Sequence, residues 1–411
     1  MATGSVRSDK ITFTGSLGDT LAARLDRPVG PIRAYALFAH CFTCSKDIFA
    51  ASRIAGALAE RSIAVLRFDF TGLGMSEGDF ANTNFSSNVA DLVAAADYLR
   101  AEHEAPRILV GHSLGGAAVL AAASEVPEAV AVATIGAPST AHHVADSFAN
   151  DIETIERDGE AEVTLAGRPF KIKKQFLEDI AETTLKDKIA ALKKALIVFH
   201  APLDAQVSVD NAADIFTAVK HPKSFVSLDD ADHLLTRKED AIYVADVLSA
   251  WASRYLPEAE ASDLLPLEKG KVTVEETGAG KFQHLVRIGN HEIFADEPKK
   301  VGGDDTGLAP YDLLLAGLGA CTSMTMRMYA ARKGINATKL GVTLSHDKIH
   351  ADDCEECAAE GNQKIDVMRR ELSIEGDMSE EERAKLIEIA NKCPVHRTLE
   401  SDIEVVTSLK A

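Results

Sequence analysis

The fold of the first half of this chain is decided by residues 107–115, which read Arg-Ile-Leu-Val-Gly-His-Ser-Leu-Gly. The apolar run Ile108–Val110 leads into a Gly-x-Ser-x-Gly turn, and the Ala-rich stretch Ala117–Ser124 follows. This order predicts a buried strand, a sharp turn and a helix, because glycine on either side of Ser113 lets neighbouring backbone approach without a Cβ clash. Such a turn lifts the Ser113 hydroxyl above the sheet, which makes it a candidate nucleophile.

Two later predicted strands each end beside a candidate partner for Ser113. Asp204 follows the strand Ala195–His200, and His233 follows the strand Lys223–Leu228. A serine hydroxyl needs a base to take its proton, and the base needs an anion to orient it. Because ligands bind at the carboxyl ends of parallel strands, we expect His233 as base and Asp204 as acid beside Ser113. Neighbouring side chains remain alternatives, namely Asp229, Asp230 and Asp232 for the acid and His142, His143 and His200 for the base.

Two backbone N–H groups are candidates for holding a developing oxyanion. One belongs to Leu114, directly after the serine, and the other to Phe42, in the loop after the predicted strand Tyr35–His40. Such donors are typically worth about 3–4 kcal/mol each in the transition state. Cys41 and Cys44 flank Phe42, and two small, partly buried side chains are favoured there over a redox pair.

Length and composition limit the classes of protein that this chain can belong to. Its 411 residues are too many for one ordinary core, so two domains are expected. A net charge of −19 disfavours binding to nucleic acid or anionic lipid. The first residues lack the apolar segment of a signal peptide, and no apolar stretch is long enough to span a membrane, so we expect a soluble cytoplasmic protein. In a reducing compartment the six cysteines favour redox or metal chemistry over a disulfide framework.

Residues 1–256 are predicted to form an α/β domain with a mostly parallel sheet covered by helices on both faces. Apolar strands without charges alternate with helical stretches, which is typical of such a sheet. Residues 139–190 interrupt this alternation with a predicted hairpin of Glu162–Leu165 and Phe170–Lys174, which we interpret as a small cap over the site. The acidic, proline-containing segment 257–270 is the predicted linker.

Residues 271–411 have a different pattern and are predicted to form an α+β domain. A long helix is expected from Pro310 to Lys333, and a capping box at Ser379 predicts a second helix that ends before Pro394. Cys321 lies within the first of these helices, and Cys393 lies at the end of the second. The predicted strands are Val272–Glu275, Phe282–Ile288, Leu340–His346, Ile365–Ile374 and Ile403–Thr407.

Residues 10–256 resemble the α/β-hydrolase family. The resemblance rests on His40-Cys41-Phe42, on the stretch Asp69–Ser76, on Gly111–Gly115, and on Asp204 and His233. It implies a carboxylesterase that acts on small or acyl-chain esters through an acyl-enzyme and needs no cofactor. The family usually has glycine after the first histidine, where this chain has Cys41.

Residues 270–411 resemble the OsmC/Ohr family of thiol peroxidases. The matching motifs are Ala309–Asp312 leading to Ala320-Cys321-Thr322, and Cys393–His396. The resemblance implies a homodimer with thiols near the subunit interface, where Cys321 and Cys393 would reduce an organic hydroperoxide at the expense of a thiol reductant.

Two positions of this half depart from the peroxide-reducing members. Tyr311 stands where they carry glutamate, and the loop before the long helix lacks their arginine, Arg287 being the nearest candidate. A module that serves for dimerisation or binding without catalysis therefore remains the alternative.

A metal site is a further alternative for the second half. His350, Cys354 and Cys357 have part of a zinc-ligand spacing, and Cys393 and His396 could complete the set. An exposed acidic loop with two free thiols is the favoured interpretation, so neither a metal nor a cofactor is expected.

Overall fold

The computed structural model describes residues 6–29, 32–42, 44–165, 167–256, 267–278, 280–350 and 364–409. The chain divides into two compact units, residues 1–264 and 265–411. The division falls inside the segment 257–270 predicted as a linker, of which residues 257–266 lie outside the described residues. Each unit is described by itself.

The first unit alternates strands and helices for most of its length. Its strands are β1 (Val6–Thr14), β2 (Thr20–Pro28), β3 (Ala34–Ala39), β4 (Ile63–Phe68), β5 (Ile108–His112), β6 (Ala131–Ile135), β7 (Glu160–Leu165), β8 (Arg168–Lys173), β9 (Ala195–His200) and β10 (Lys223–Ser227). Its α-helices are α1 (Phe49–Ala59), α2 (Phe85–Glu102), α3 (Leu114–Ala122), α4 (Ile152–Asp158), α5 (Lys174–Glu182), α6 (Leu185–Ala190), α7 (Asp210–Ala218) and α8 (Lys238–Ala252). Short 3₁₀ turns cover Phe80–Asn82, Ala123–Glu125 and Ala141–Asp151.

Among the described residues the main sheet has eight strands in the order β1-β2-β4-β3-β5-β6-β9-β10. β1 and β2 run antiparallel to their neighbours, and the other strands are parallel. The central strands are buried along their whole length because hydrophobic clusters cover both faces of the sheet. The predicted α/β architecture is therefore confirmed, and β5, β9 and β10 end at one edge of the sheet.

The insertion between β6 and β9 folds as a small subdomain of helices and one hairpin. β7 and β8 pair antiparallel, with Leu165 opposite Arg168, as the predicted hairpin requires. The side chains of Val163, Ile172 and Phe176 are buried in the same hydrophobic cluster as residues of the main sheet. This packing attaches the insertion firmly to the sheet.

The second unit contains two antiparallel sheets and a long helix. Its elements are β11 (Thr273–Glu276), β12 (His284–Ile288), β13 (His291–Ala295), α9 (Pro310–Lys333), β14 (Asn336–His350), β15 (Lys364–Asp377), α10 (Glu380–Ala390) and α11 (Pro394–Leu399). Helix α9 has the predicted bounds, with Gly334 in the left-handed conformation after its last residue. The capping box predicted at Ser379 is also present, with Glu382 as its partner.

Three features of the second unit differ from the prediction. Strand β13 was not predicted. The chain also becomes helical again at Pro394, because proline lacks only an N–H that the first turn of a helix leaves unpaired, and Cys393 caps this helix, α11. The predicted strand Ile403–Thr407 is wrong: the segment pairs with no strand among the described residues, and Val405 and Val406 are more than 80% exposed. Its apolar pattern has no partner within the described part of the chain.

Candidate active site

Ser113 lies on a strained turn between β5 and α3. Its backbone has φ 55° and ψ −125°, a conformation that side chains other than glycine rarely adopt. The flanking glycines are sterically required. A Cβ at Gly111 would lie 2.2 Å from the carbonyl oxygen of Gly115, and a Cβ at Gly115 would lie 2.4 Å from that of Ala39. The turn therefore folds only with the predicted glycine spacing.

The structure brings Ser113, His233 and Asp204 together. Nε2 of His233 lies 2.9 Å from Oγ of Ser113, and Nδ1 of His233 lies 2.7 Å from Oδ2 of Asp204. The side chains of His233 and Asp204 are 5% and 1% exposed. With Nδ1–H donating to the carboxylate, Nε2 carries a lone pair that can accept the serine proton.

The loop after β9 holds Asp204 in its ionised form. Burial opposes ionisation, but the hydrogen bond with His233 and those from the backbone N–H groups of Val207 (3.0 Å) and Gln206 (2.8 Å) outweigh it. The pKa of Asp204 is therefore lowered from its usual value. His200, an alternative base, donates from Nε2 to the carbonyl of Val207 at 2.8 Å and so supports this same loop.

The other alternative acids and bases are placed elsewhere. Asp230 pairs with exposed Arg237, and Asp232 accepts hydrogen bonds from Thr236. His143 contacts the carbonyl of Gln206 at 3.1 Å, without a hydrogen bond to Ser113.

His112, whose role the sequence reasoning missed, supports His233 from beneath. Its Nε2–H donates to the backbone carbonyl of His233 at 2.6 Å. Burial, with a smaller contribution from the nearby His233, lowers the pKa of His112 to about 4. His112 is therefore neutral at physiological pH. Its position inside the Gly-x-Ser-x-Gly motif was the available signal, but the motif leaves that residue type open.

The loop after β3 carries the second expected oxyanion donor and contains an unexpected covalent bond. Cys41 and Cys44 form a disulfide, with their Cα atoms 5.3 Å apart. The favoured interpretation of two separate small side chains is therefore wrong, because the one-turn spacing of these cysteines brings their sulfurs within bonding range. Phe42 lies between them, and Leu114 is the first residue of α3, where an N–H group has no intrahelical acceptor.

A cavity of about 430 Å³ opens beside Ser113 and His233. Leu165 and Arg168 of the β7–β8 hairpin form part of its wall, so the inserted subdomain covers the site as predicted. The lining is mixed apolar and polar. Its other residues are Cys41, Phe42, Cys44, Ser45, Ile48, Leu114, Pro138, His143, Val144, Ser147, Thr164, Gln206, Val207 and Leu234.

The structure also brings Cys321 and Cys393 of the second unit together as two free thiols. Cys393 is fully buried and Cys321 is partly exposed. Burial raises the pKa of Cys393, but hydrogen bonds with Thr322, the backbone N–H of His396 and Cys321, together with the positive charge of Arg370, lower it overall. These contacts favour the thiolate of Cys393.

Arg370 was missed as the arginine of this thiol site. It lies on β15, and its guanidinium donates to Thr322 Oγ1 at 3.0 Å and to the Ala390 carbonyl at 3.2 Å. Arg287, the candidate named from the sequence, instead pairs with Glu275 at 2.7 Å. Tyr311 stacks on the ring of His346 with 4.2 Å between centroids.

The structure gives no support to a metal centre. Within the described ranges no group of three or more histidine, cysteine or acidic side chains is arranged to hold a metal ion. Cys354 and Cys357 lie outside the described residues.

A mostly parallel sheet with a serine on the turn after a central strand, and a histidine and an aspartate after later strands, defines the class of α/β hydrolases. A model described as the alpha/beta hydrolase family matches residues 36–301, and the chain belongs to this family. A model described as OsmC-like protein matches residues 302–408, so the chain carries an OsmC-like domain at its C-terminal end.

Solved structures and curated proteins agree with the family. The chain is 49% identical to the esterase domain of a Rhodothermus marinus protein, with 61% of this chain and 99% of that chain covered and a TM-score of 0.50. Est1E of Butyrivibrio proteoclasticus with ferulic acid bound shares the fold at 19% identity, with 60% and 100% covered and a TM-score of 0.50.

Among curated proteins, the mitochondrial palmitoyl-protein thioesterase ABHD10 of Mus musculus is 29% identical over 187 residues, 43% of this chain and 61% of that protein. The Homo sapiens protein of the same name is 38% identical over 85 residues, 21% of this chain and 26% of that protein. The chain thus spans less than two thirds of the length of these relatives. None of the helices in the described part of the chain is long and apolar enough to cross a membrane.

Proposed function

We propose that the first unit is a carboxylic ester hydrolase that works through an acyl-enzyme on Ser113. The observation that carries this proposal is the continuous pair of contacts from Ser113 Oγ to His233 Nε2 and from His233 Nδ1 to Asp204 Oδ2. In this arrangement a weak nucleophile gains a base, and the base gains a buried anion that stabilises its protonated form.

The reaction begins when Ser113 Oγ attacks the ester carbonyl carbon and passes its proton to Nε2 of His233. The negative charge moves to the carbonyl oxygen, where the N–H groups of Leu114 and Phe42 donate hydrogen bonds. His233 then gives its proton to the leaving alcohol, and an acyl-serine remains. A water molecule, deprotonated by His233, attacks the acyl-serine and releases the acid.

The cavity supports small esters and esters of short to medium acyl chains as substrates. Its volume of about 430 Å³ lies at the lower end of the range that drug-sized ligands occupy. Side chains such as Val144, Leu165 and Leu234 offer an apolar wall to an acyl chain. The names of the relatives, an esterase domain and a thioesterase, support both oxygen esters and thioesters as the bond cleaved.

A panel of p-nitrophenyl esters of increasing chain length tests this proposal. Ser113→Ala should lower kcat at least a thousandfold on every ester, whereas the wild-type profile reports the chain length accepted. Ser147→Ala is the matched control, because Ser147 lines the same cavity and has no role in the mechanism. Full activity of Ser113→Ala would refute the proposal.

For the second unit we infer a thiol peroxidase that reduces organic hydroperoxides. Cys321 is partly exposed and meets the hydroperoxide, and buried Cys393 resolves the product. The Cys321 thiolate attacks the peroxide oxygen, becomes a sulfenic acid and releases an alcohol. The Cys393 thiolate then attacks that sulfur, which forms a disulfide and releases water, and a dithiol reductant restores both thiols.

The alternative is that this unit only dimerises or binds, and serine replacements separate the two. In the peroxidase reading Cys321→Ser abolishes hydroperoxide consumption, and Cys393→Ser stops after one turnover. Unchanged consumption by Cys321→Ser would leave the non-catalytic module.

The chain is further proposed to act as a homodimer through its second unit, in the cytoplasm. The exposed apolar side chains of Ile403, Val405 and Val406, together with Met324 and Met328 of α9, form surface that a second copy could cover. Sedimentation of the full chain should give a dimer, and Val405→Lys should shift it toward monomer. A wild-type monomer at all concentrations would contradict this.

A further inference from the structure

The disulfide between Cys41 and Cys44 constrains the backbone beside Ser113. The N–H of Cys44 also donates to the carbonyl of Cys41 at 3.1 Å, so the bond closes a tight turn. Phe42 lies within this turn, and its N–H is one of the two proposed oxyanion donors. The covalent bond therefore acts on the group whose position decides how well the transition state is held.

Buried polar contacts hold the chain on both sides of this turn. Before it, the His40 ring donates from Nδ1 to the carbonyl of Cys41 at 2.7 Å. After it, Lys46 binds Asp69 through its backbone N–H (2.6 Å) and its ammonium group (2.7 Å). Lys46 and Asp69 are both buried, so this anchor is little affected by solvent. The adjustable part of the loop is the segment that the disulfide closes.

The two sulfurs differ in access. Cys41 is buried, whereas Cys44 is partly exposed, and both line the cavity next to Ser113. A small thiolate that enters the cavity therefore meets the Cys44 sulfur, with Cys41 as the leaving group. Thiol–disulfide exchange depends on this kind of access.

We propose that Cys41–Cys44 is a thiol–disulfide exchange site that accepts electrons from a dithiol reductant and thereby lowers the turnover of the hydrolase; the effect on turnover rests on the proposed function. One thiolate of the reductant attacks the Cys44 sulfur, the bond to Cys41 breaks, and the Cys41 thiolate takes up a proton. The second thiol of the reductant then attacks its own mixed disulfide and releases Cys44. Two electrons and two protons move from the dithiol to the protein, and the reductant leaves as a disulfide.

This assignment accounts for a disulfide in a chain proposed to be cytoplasmic, since disulfides that form in reducing compartments are usually transient or redox-sensing. Reduction frees the turn around Phe42 and leaves Ser113, His233 and Asp204 in contact. A loss confined to an oxyanion donor lowers kcat and changes KM little.

The test equilibrates the full chain anaerobically in mixtures of reduced and oxidised dithiothreitol and then removes the reagent by desalting. One aliquot is alkylated, and the peptide containing Cys41 and Cys44 is analysed by mass spectrometry. A second aliquot gives kcat and KM on a p-nitrophenyl ester, and a third gives the rate at which a fluorophosphonate labels Ser113. The Cys321→Ser/Cys393→Ser double variant separates this response from the thiols of the second unit.

We expect alkylation of Cys41 and Cys44 and a fall in kcat of at least threefold with one common midpoint, reversed by reoxidation and retained in the double variant. Cys44→Ser should have the same kcat in reduced and oxidised mixtures. Failure of both cysteines to become alkylated, or a reduced protein with unchanged kcat, would overturn the proposal. Absence of ester turnover and of labelling in both states would instead overturn the proposed function, while the alkylation still decides whether exchange occurs.

Discussion

Oδ2 of Asp204 lies 2.7 Å from Nδ1 of His233, while Oδ1 of the same carboxylate accepts the backbone N–H groups of Gln206 and Val207. The two oxygens thus have separate tasks. One orients the imidazole, and the other fixes the carboxylate in its loop.

Asp204→Asn tests this division. The amide oxygen would keep the two backbone hydrogen bonds, which turns the NH₂ group toward Nδ1 of His233. Nε2 would then carry the proton and could not accept one from Ser113. We expect kcat for ester hydrolysis to fall by about three to four orders of magnitude with little change in circular dichroism.

Asp232→Asn is the control for that variant, because Asp232 is close in sequence and bonds only to Thr236 among its side-chain partners described here. Its kcat should stay within about twofold of wild type. Equal losses in the two variants would contradict the role given to Asp204.

Gly136→Ala should reduce activity by crowding the same pair. Gly136 has φ +54°, and an added Cβ would lie 3.3 Å from both Nδ1 of His233 and Oδ2 of Asp204. Gly18→Ala imposes a similar backbone strain at φ +91° with no atom within 4 Å. Both variants should lose about 1 kcal/mol of unfolding free energy. Only Gly136→Ala should lose kcat, about tenfold or more, and steady-state kinetics beside urea denaturation would show whether it does.

His112 should make the fold sensitive to mild acid. Its pKa is about 4 in the folded protein against about 6.5 in an unfolded chain, so the unfolded state binds a proton that the folded state refuses. Stability from this group is complete above pH 6.5 and is lost as the pH falls toward 4, by about 3 kcal/mol in total.

In His112→Gln the amide can still donate to the His233 carbonyl, but the titrating group is gone. Urea denaturation between pH 4 and 7 should therefore give a shallower loss of stability than in wild type. The exposed His142→Gln serves as control. Parallel curves for wild type and His112→Gln would refute the assignment.

Arg370→Gln should raise the pKa of Cys393, because the variant removes a positive charge that favours the thiolate. Iodoacetamide should then alkylate Cys393 more slowly at pH 7, as followed by mass spectrometry of its peptide. Arg369→Gln is the matched control, since Arg369 is the next residue on β15, points to the opposite face and pairs with Asp347 at 2.8 Å. The same rate in both variants would exclude Arg370 as the cause.

Local patterns made much of this molecule predictable. The run Ile108–Val110 and the glycines around Ser113 specify a strand and a turn from near neighbours alone. The order of later strands placed Asp204 and His233 at the same sheet edge, where the structure has them; their catalytic roles stay predictions. Proline at the start of α9 and glycine after its end marked that helix to the residue.

The rest depends on contacts between distant segments. Arg370 reaches the thiols because β15 presents that residue, and not Arg369, to the side of α9. His112 supports His233 only once β5 and the loop after β10 are adjacent. The apolar alternation of Ile403–Thr407 indicates a strand, but a strand needs a partner, and the described chain offers none.

Phe42 belongs to two structures at once. Its ring packs against Phe80 and against Phe176 of the inserted subdomain, with centroids 5.7 Å apart in both cases, while its amide is a proposed oxyanion donor. An engineer who wished to widen the cavity for bulkier acyl groups by trimming this ring would disturb catalytic geometry in the same stroke. Val144 and Leu165, which line the cavity from other segments, are the positions where acceptance of larger molecules can be altered without that penalty.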